Sequence, residues 1–147
     1  MSSDREYAHD LDWEDPPENV IEPNHTAANY LVVGLRSFRA VNVRRSESAF
    51  FPLGHWSPEK WLLALIGEIG EAANLLKKLD RFETNSNTGK DPQTAIECYE
   101  LIASELADAF TYLDLLAARL NIDLGSAVIT KFNQVSERMD CPIRLDP

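Results

Sequence analysis

The sequence predicts an all-α protein, a four-helix bundle-like protomer, on three observations. Apolar residues recur at helical spacing in four separate stretches, cap-and-proline signals stand at two of their starts, and no stretch shows the strict alternation of a half-buried strand. A chain of 147 residues, 44% of them hydrophobic, suits one domain with its own core.

Residues 1–25 hold eight acids against one base, Arg5, together with Pro16, Pro17 and Pro23, and show no sustained apolar period. They are expected to form an acidic, flexible arm ahead of a domain at 26–147. Helix 1 is predicted from about Thr26 to Val43, with Asn24 or Thr26 as N-cap and Tyr30, Val33, Leu35, Phe38 and Val41 near helical spacing. Pro52 and Gly54 mark residues 44–56 as an aromatic loop.

Ser57-Pro58-Glu59 opens helix 2: serine to cap free amides, proline at the first helical position, glutamate on the positive helix end. The helix is expected to run to Leu79 or Phe82, its stripe being Leu62, Leu65, Ile66, Ile69, Ala72, Ala73, Leu76 and Leu79. A polar linker, 85–90, leads to Asp91-Pro92, which repeats the cap-plus-proline device and opens helix 3. That helix is expected to reach Leu120 with Ile102, Leu106, Ala109, Phe110, Leu113 and Leu116 on one side. Asp123 caps a shorter helix 4 bearing Leu124, Val128, Ile129, Phe132 and Val135, and the chain is irregular from Cys141. Apolar residues on more than one side of helix 2, such as Leu63 and Leu75, call for burial by a second subunit.

Composition excludes several classes. The net charge of −10 argues against stable nucleic-acid binding, although the arm carries −7 of it and leaves −3 for the remaining 122 residues, so a polyanionic small ligand is not excluded. No apolar run is long enough for a membrane span and Met1-Ser2-Ser3-Asp4 does not begin a signal peptide, which places the expected protein in the cytoplasm. Cys98 and Cys141 lack metal-ligand spacing and read as reduced thiols.

The chemistry lies in four carboxylates. Helix 2 holds Glu68 and Glu71, helix 3 holds Glu105 and Asp108, and three-residue spacing puts each pair on one helical face. Glu105 sits among Leu101, Ile102, Ala109 and Tyr112, and Glu68 among Ala64, Leu65, Ala72 and Leu75, so these acids lie within apolar stripes. Carboxylates turned toward a helix interface repel one another and lose hydration, costing several kcal/mol per unpaired ion, so a cation is needed there. Magnesium, a hard cation with oxygen ligands commonly shared with substrate phosphates, fits, and manganese is a ready substitute. Glu97 and Glu100 have the same spacing, but the neighbours of Glu100 are small and polar, Gln93, Ala103, Ser104, Ala107 and Thr111, and the pair reads as solvated surface acids.

Gly67-Glu68-Ile69-Gly70-Glu71-Ala72-Ala73-Asn74, Glu105-Leu106-Ala107-Asp108, Asn121-Ile122-Asp123-Leu124, Lys131 and Arg138 resemble the MazG-like branch of the all-α NTP pyrophosphatases, including the dCTP pyrophosphatase type. The resemblance runs from about Trp56 to Arg138. It implies a magnesium-dependent hydrolase that splits a nucleoside triphosphate between its α and β phosphates, with Glu68, Glu71, Glu105 and Asp108 as metal ligands, in a homodimer or homotetramer. Some members carry a further glutamate where this chain has Gly67, so Glu68 or Glu71 is left to orient the attacking water.

For the substrate, Lys78, Arg81 and Lys131 offer cations for phosphates, Asn74 extends the polar face one turn beyond Glu71, and Trp56 and Trp61 offer planes for a base. Phe38 and His55 are lesser candidates for the base. The competing reading is a non-catalytic helical module that binds a metal or nucleotide as a sensor or interaction surface; binding without turnover would mark it.

Overall fold

The computed structural model describes residues 27–84 and 94–145. In chain order α1 spans Ala27–Ala49, a 3-10 turn Leu53–His55, α2 Pro58–Glu83, α3 Ala95–Arg119 and α4 Leu124–Arg138, with no strand among the described residues. The expected arm, Asn24, Thr26 and Asp91-Pro92 lie outside the described residues.

Helix α1 continues six residues past the expected Val43 end, so Arg44 through Ala49 are helical and not loop. The reason is local. Proline restricts itself and the residue before it, here Phe51, and nothing in Arg-Arg-Ser-Glu-Ser-Ala opposes a helix. The end is closed by Ser46, whose hydroxyl donates to the Phe51 carbonyl at 3.0 Å while its own carbonyl accepts from the Phe50 amide at 3.0 Å.

Pro58 takes the first position of α2 with Ser57 as N-cap, but the Ser57 side chain makes no capping bond. Its hydroxyl serves the Glu59 carboxylate instead, the main cause that lowers that group's pKa. For α3 the cap is Thr94: its Oγ1 accepts from the Glu97 amide at 3.1 Å, and Glu97 Oε2 accepts from the Thr94 amide at 3.2 Å, a capping box. Glu97 is thus a helix-start residue, not simply a solvated acid. Helix α4 begins as expected, with Asp123 Oδ1 accepting from the Ser126 amide at 3.3 Å. Asn121 turns the chain between α3 and α4 at φ 55°, a left-handed conformation that asparagine tolerates.

Helices α2 and α3 form an antiparallel pair whose register repeats every seven residues. Trp61 meets Tyr112 with ring centroids 6.2 Å apart, Glu68 shares a hydrogen bond with Glu105, and the Cys98 thiol donates to the Leu75 carbonyl at 3.5 Å. Leu75, Leu79, Cys98 and Ile102 make the core with Phe82 against them. Both cysteines are free thiols, as expected.

The buried row of α2 differs from the predicted stripe. Trp61, Ala72, Leu75 and Leu79 are buried, whereas Ile66, Ile69 and Leu76 are each more than half exposed and Leu62 nearly so. Likewise Ile102 and Ala109 are buried on α3 while Leu106, at 56%, is exposed. Apolar residues cover two faces of each helix, and only the face that finds the seven-residue register is buried within the chain.

Helix α1 crosses α3 and α4 through polar locks. Asp114, wholly buried, accepts from Arg39 Nε at 3.0 Å and from Asn42 Nδ2 at 3.1 Å. Arg39 also donates to the Ile122 carbonyl, Arg36 pairs with Asp123 at 2.6 Å, and Phe38 packs on Phe110 with centroids 5.2 Å apart. The irregular C-terminal segment is tied to α4 by two 2.8 Å bonds between the Asn133 side chain and the Leu145 backbone. Among the described residues no helix is long and apolar enough to cross a membrane.

Candidate functional site

The seven-residue register that pairs Trp61 with Tyr112 places Glu68 opposite Glu105, and one turn along α3 adds Asp108. Oxygens of Glu68, Glu105 and Asp108 all lie within 4.8 Å of one another. Burial raises the Glu68 pKa above the ordinary carboxylate value, and its hydrogen bond with Glu105 and the charges of Asp108, Glu71 and Glu105 raise it further. Three converging acids of which one resists ionisation form a site of high negative potential, and their hard oxygen donors fit a divalent cation. Glu71, the fourth predicted ligand, is exposed and stands outside this group of three, near enough for its charge to act on Glu68.

A cavity of about 220 Å³ opens beside the acids, with Glu68 and Asp108 at one end and aromatic rings at the other. Trp56 and Trp61, both predicted, line it, with centroids 4.7 Å apart. Trp61 is fixed by its indole N–H on the Leu53 carbonyl at 3.3 Å, and Arg119 Nε holds the Trp56 carbonyl at 3.2 Å. Phe51 stacks between His55 and Trp56 at 5.1 and 5.3 Å, extending the aromatic wall, so His55 stands behind the lining and not in it. Phe38 is spent on Phe110, away from the cavity.

The predicted cations are dispersed. Lys78 is half-buried on α2 beyond the acids, Arg81 lies a turn further, and Asn74 is exposed; none of the three lines the cavity. Lys131 borders a separate open hollow of about 380 Å³ on α4 with Val128, Phe132, Val135 and Ser136. Among the described residues, the cation that does line the acid-and-aromatic cavity is Arg45, with Ser46 beside it. Both fell in the stretch expected to be loop; the signal that could have found them was the unbroken run of helix-tolerant residues as far as Ala49.

No family model matches the chain, and no solved structure does. Curated relatives do, among them dCTP pyrophosphatase 1 of Mus musculus, 35% identical over 109 residues, 71% of this chain and 59% of the relative; that of Rattus norvegicus, 36% identical over 110 residues, with the same coverage; and that of Homo sapiens, 34% identical over 96 residues, 63% of this chain and 54% of the relative. The chain thus spans a little under three fifths of the length of the curated relatives it matches.

Proposed function

We propose that, over the segment it shares with them, the chain is of the dCTP pyrophosphatase type of the MazG-like NTP pyrophosphatases and that it hydrolyses a (deoxy)nucleoside triphosphate to the monophosphate and pyrophosphate. The observation that supports this most is the meeting of Glu68, Glu105 and Asp108 at the mouth of an aromatic cavity. A base would stack against the aromatic lining, and polyphosphate would lie beside the carboxylates with magnesium or manganese between them.

Glu68, Glu105 and Asp108 would hold the metal, which when bound supplies charge neutralisation at the phosphates and a more acidic water. Glu71, whose charge acts on Glu68 from beside the three, would complete the ligand set or orient and deprotonate the attacking water at the α phosphorus. Trp56 and Trp61 position the base and keep bulk water from that end of the cavity. The activity serves nucleotide-pool housecleaning.

The proposal includes a homodimer or homotetramer. Tyr99, Leu106, Leu113 and Leu120 recur every seven residues along α3 and are all exposed, as are Leu62, Ile66, Ile69 and Leu76 on α2. A second copy would cover them.

The direct test is release of pyrophosphate from a panel of NTPs and dNTPs with and without magnesium. Loss of release in Glu71→Gln and Asp108→Asn supports the reading; undiminished release in both overturns it.

A further inference from the structure

We infer that Arg45 is a phosphate-binding residue of the cavity, and that the buried pair Asn42 and Asp114 positions it; the inference rests on the nucleotide reading above. Asp114 is fully buried and accepts from Arg39 and Asn42. Asn42, 3% exposed, donates its amide nitrogen both to Asp114 Oδ2 and to the Thr111 carbonyl, each at 3.1 Å. Two acceptors fix which end of the amide is nitrogen, because the reverse orientation would set oxygen against oxygen twice. The remaining end, Oδ1, therefore faces the other way as an acceptor, and it receives Arg45 Nη2 at 3.3 Å.

A carboxylate with no exposure thereby sets the direction of a guanidinium at the rim of the cavity. Arg45 lines that cavity with Glu68 and Asp108, yet among the described residues no ion pair joins it to either. One nitrogen is engaged by Asn42, and a guanidinium has five N–H donors, so most are open to a ligand. Phosphate oxygens are that ligand: two of them match the spacing of the planar guanidinium fork, which binds them in bidentate fashion, and Arg45 brings to the cavity the positive charge that the three nearby carboxylates lack. Asn42 and Asp114 touch no substrate in this arrangement and act through Arg45.

The experiment is calorimetric titration of the full chain with pyrophosphate in excess magnesium, without turnover. Arg45→Gln is expected to weaken binding at least about tenfold, and Arg45→Lys to retain part of the affinity. Arg44→Gln, which removes the same charge from an exposed neighbour outside the cavity, is expected to leave binding within about twofold. Asn42→Ala is expected to weaken pyrophosphate as Arg45→Gln does, and the double variant to bind no worse than Arg45→Gln alone, the signature of one residue acting through the other. Equal losses in Arg44→Gln and Arg45→Gln, or unchanged binding in Arg45→Gln, overturn the assignment; additive losses in the double variant overturn the positioning role. Arg45 is exposed, so its variants decide the first question even should Asn42→Ala unfold. If the unaltered chain binds no magnesium pyrophosphate, the nucleotide reading itself fails; if it does and Arg45→Gln binds equally, only the role of Arg45 fails.

Discussion

A Cβ on Gly125 would stand 2.9 Å from the Cα of Val32, closer than real Cβ atoms come to backbone. At this contact the first turn of α4 lies on α1, and the missing side chain sets the distance between the helices. Gly125→Ala is therefore expected to lower stability by about 1–3 kcal/mol in denaturant unfolding. Gly70→Ala meets nothing within 4 Å and should raise it, by about 0.5–1 kcal/mol, through helix propensity.

Three converging acids make the metal-free chain less stable than it would be with two. Glu105→Gln is expected to raise the melting temperature without metal and to abolish the further rise that magnesium gives, since a ligand that binds the folded state stabilises it. Pyrophosphate release should fall at least about a hundredfold in the same variant, measured at saturating magnesium.

Two carboxylates push stability in opposite directions with pH. The pKa of Glu68 is raised above 4.5 in the folded state, so in the metal-free chain stability increases as pH falls through the folded value toward 4.5. That of Asp123 is held at about 2 against 3.8, first by the hydrogen bond from Arg36, so its contribution is present above 3.8 and is lost as pH falls toward 2. Acid titration followed by circular dichroism should show a rise and then a fall; Glu68→Gln removes the first and Arg36→Ala reduces the second.

Arg39→Met leaves Asp114 as a wholly buried carboxylate whose ion-pair partner is gone. The expected cost is about 3–5 kcal/mol, largely recovered in Arg39→Met/Asp114→Leu, with chemical denaturation as the measure.

Leu106→Glu and Leu113→Glu place charge in the exposed seven-residue row of α3. Light scattering should report a smaller particle than for the unaltered chain, while each protomer keeps its helical content.

Glu68 and Glu105 were legible because their neighbours three and four residues away are apolar, and that pattern survives in the buried rows. The rows themselves were harder to read. Leu62, Ile66 and Ile69 are as apolar as the buried residues, and only the seven-residue match to Tyr112, Glu105 and Cys98 on α3 decides which face turns inward. Arg45 is hard to read from the sequence because Pro52 and Gly54 signal a break, while a proline restricts only itself and the residue before it, leaving residues 44–49 free to continue the helix. Thr94-x-x-Glu97 was a capping box open to reading, overshadowed by the proline at 92.

The aromatic layer of Trp61 and Tyr112 and the acid layer of Glu68 and Glu105 are separated by one seven-residue repeat on the same two helices, about 10 Å of helix rise. The helices therefore act as a ruler between the two ends of a bound molecule. If the chain has the proposed activity, remodelling Phe51, His55 or Trp56 in the connecting loop would change which base is preferred without moving the point of bond cleavage, so selectivity and chemistry would be free to diverge independently.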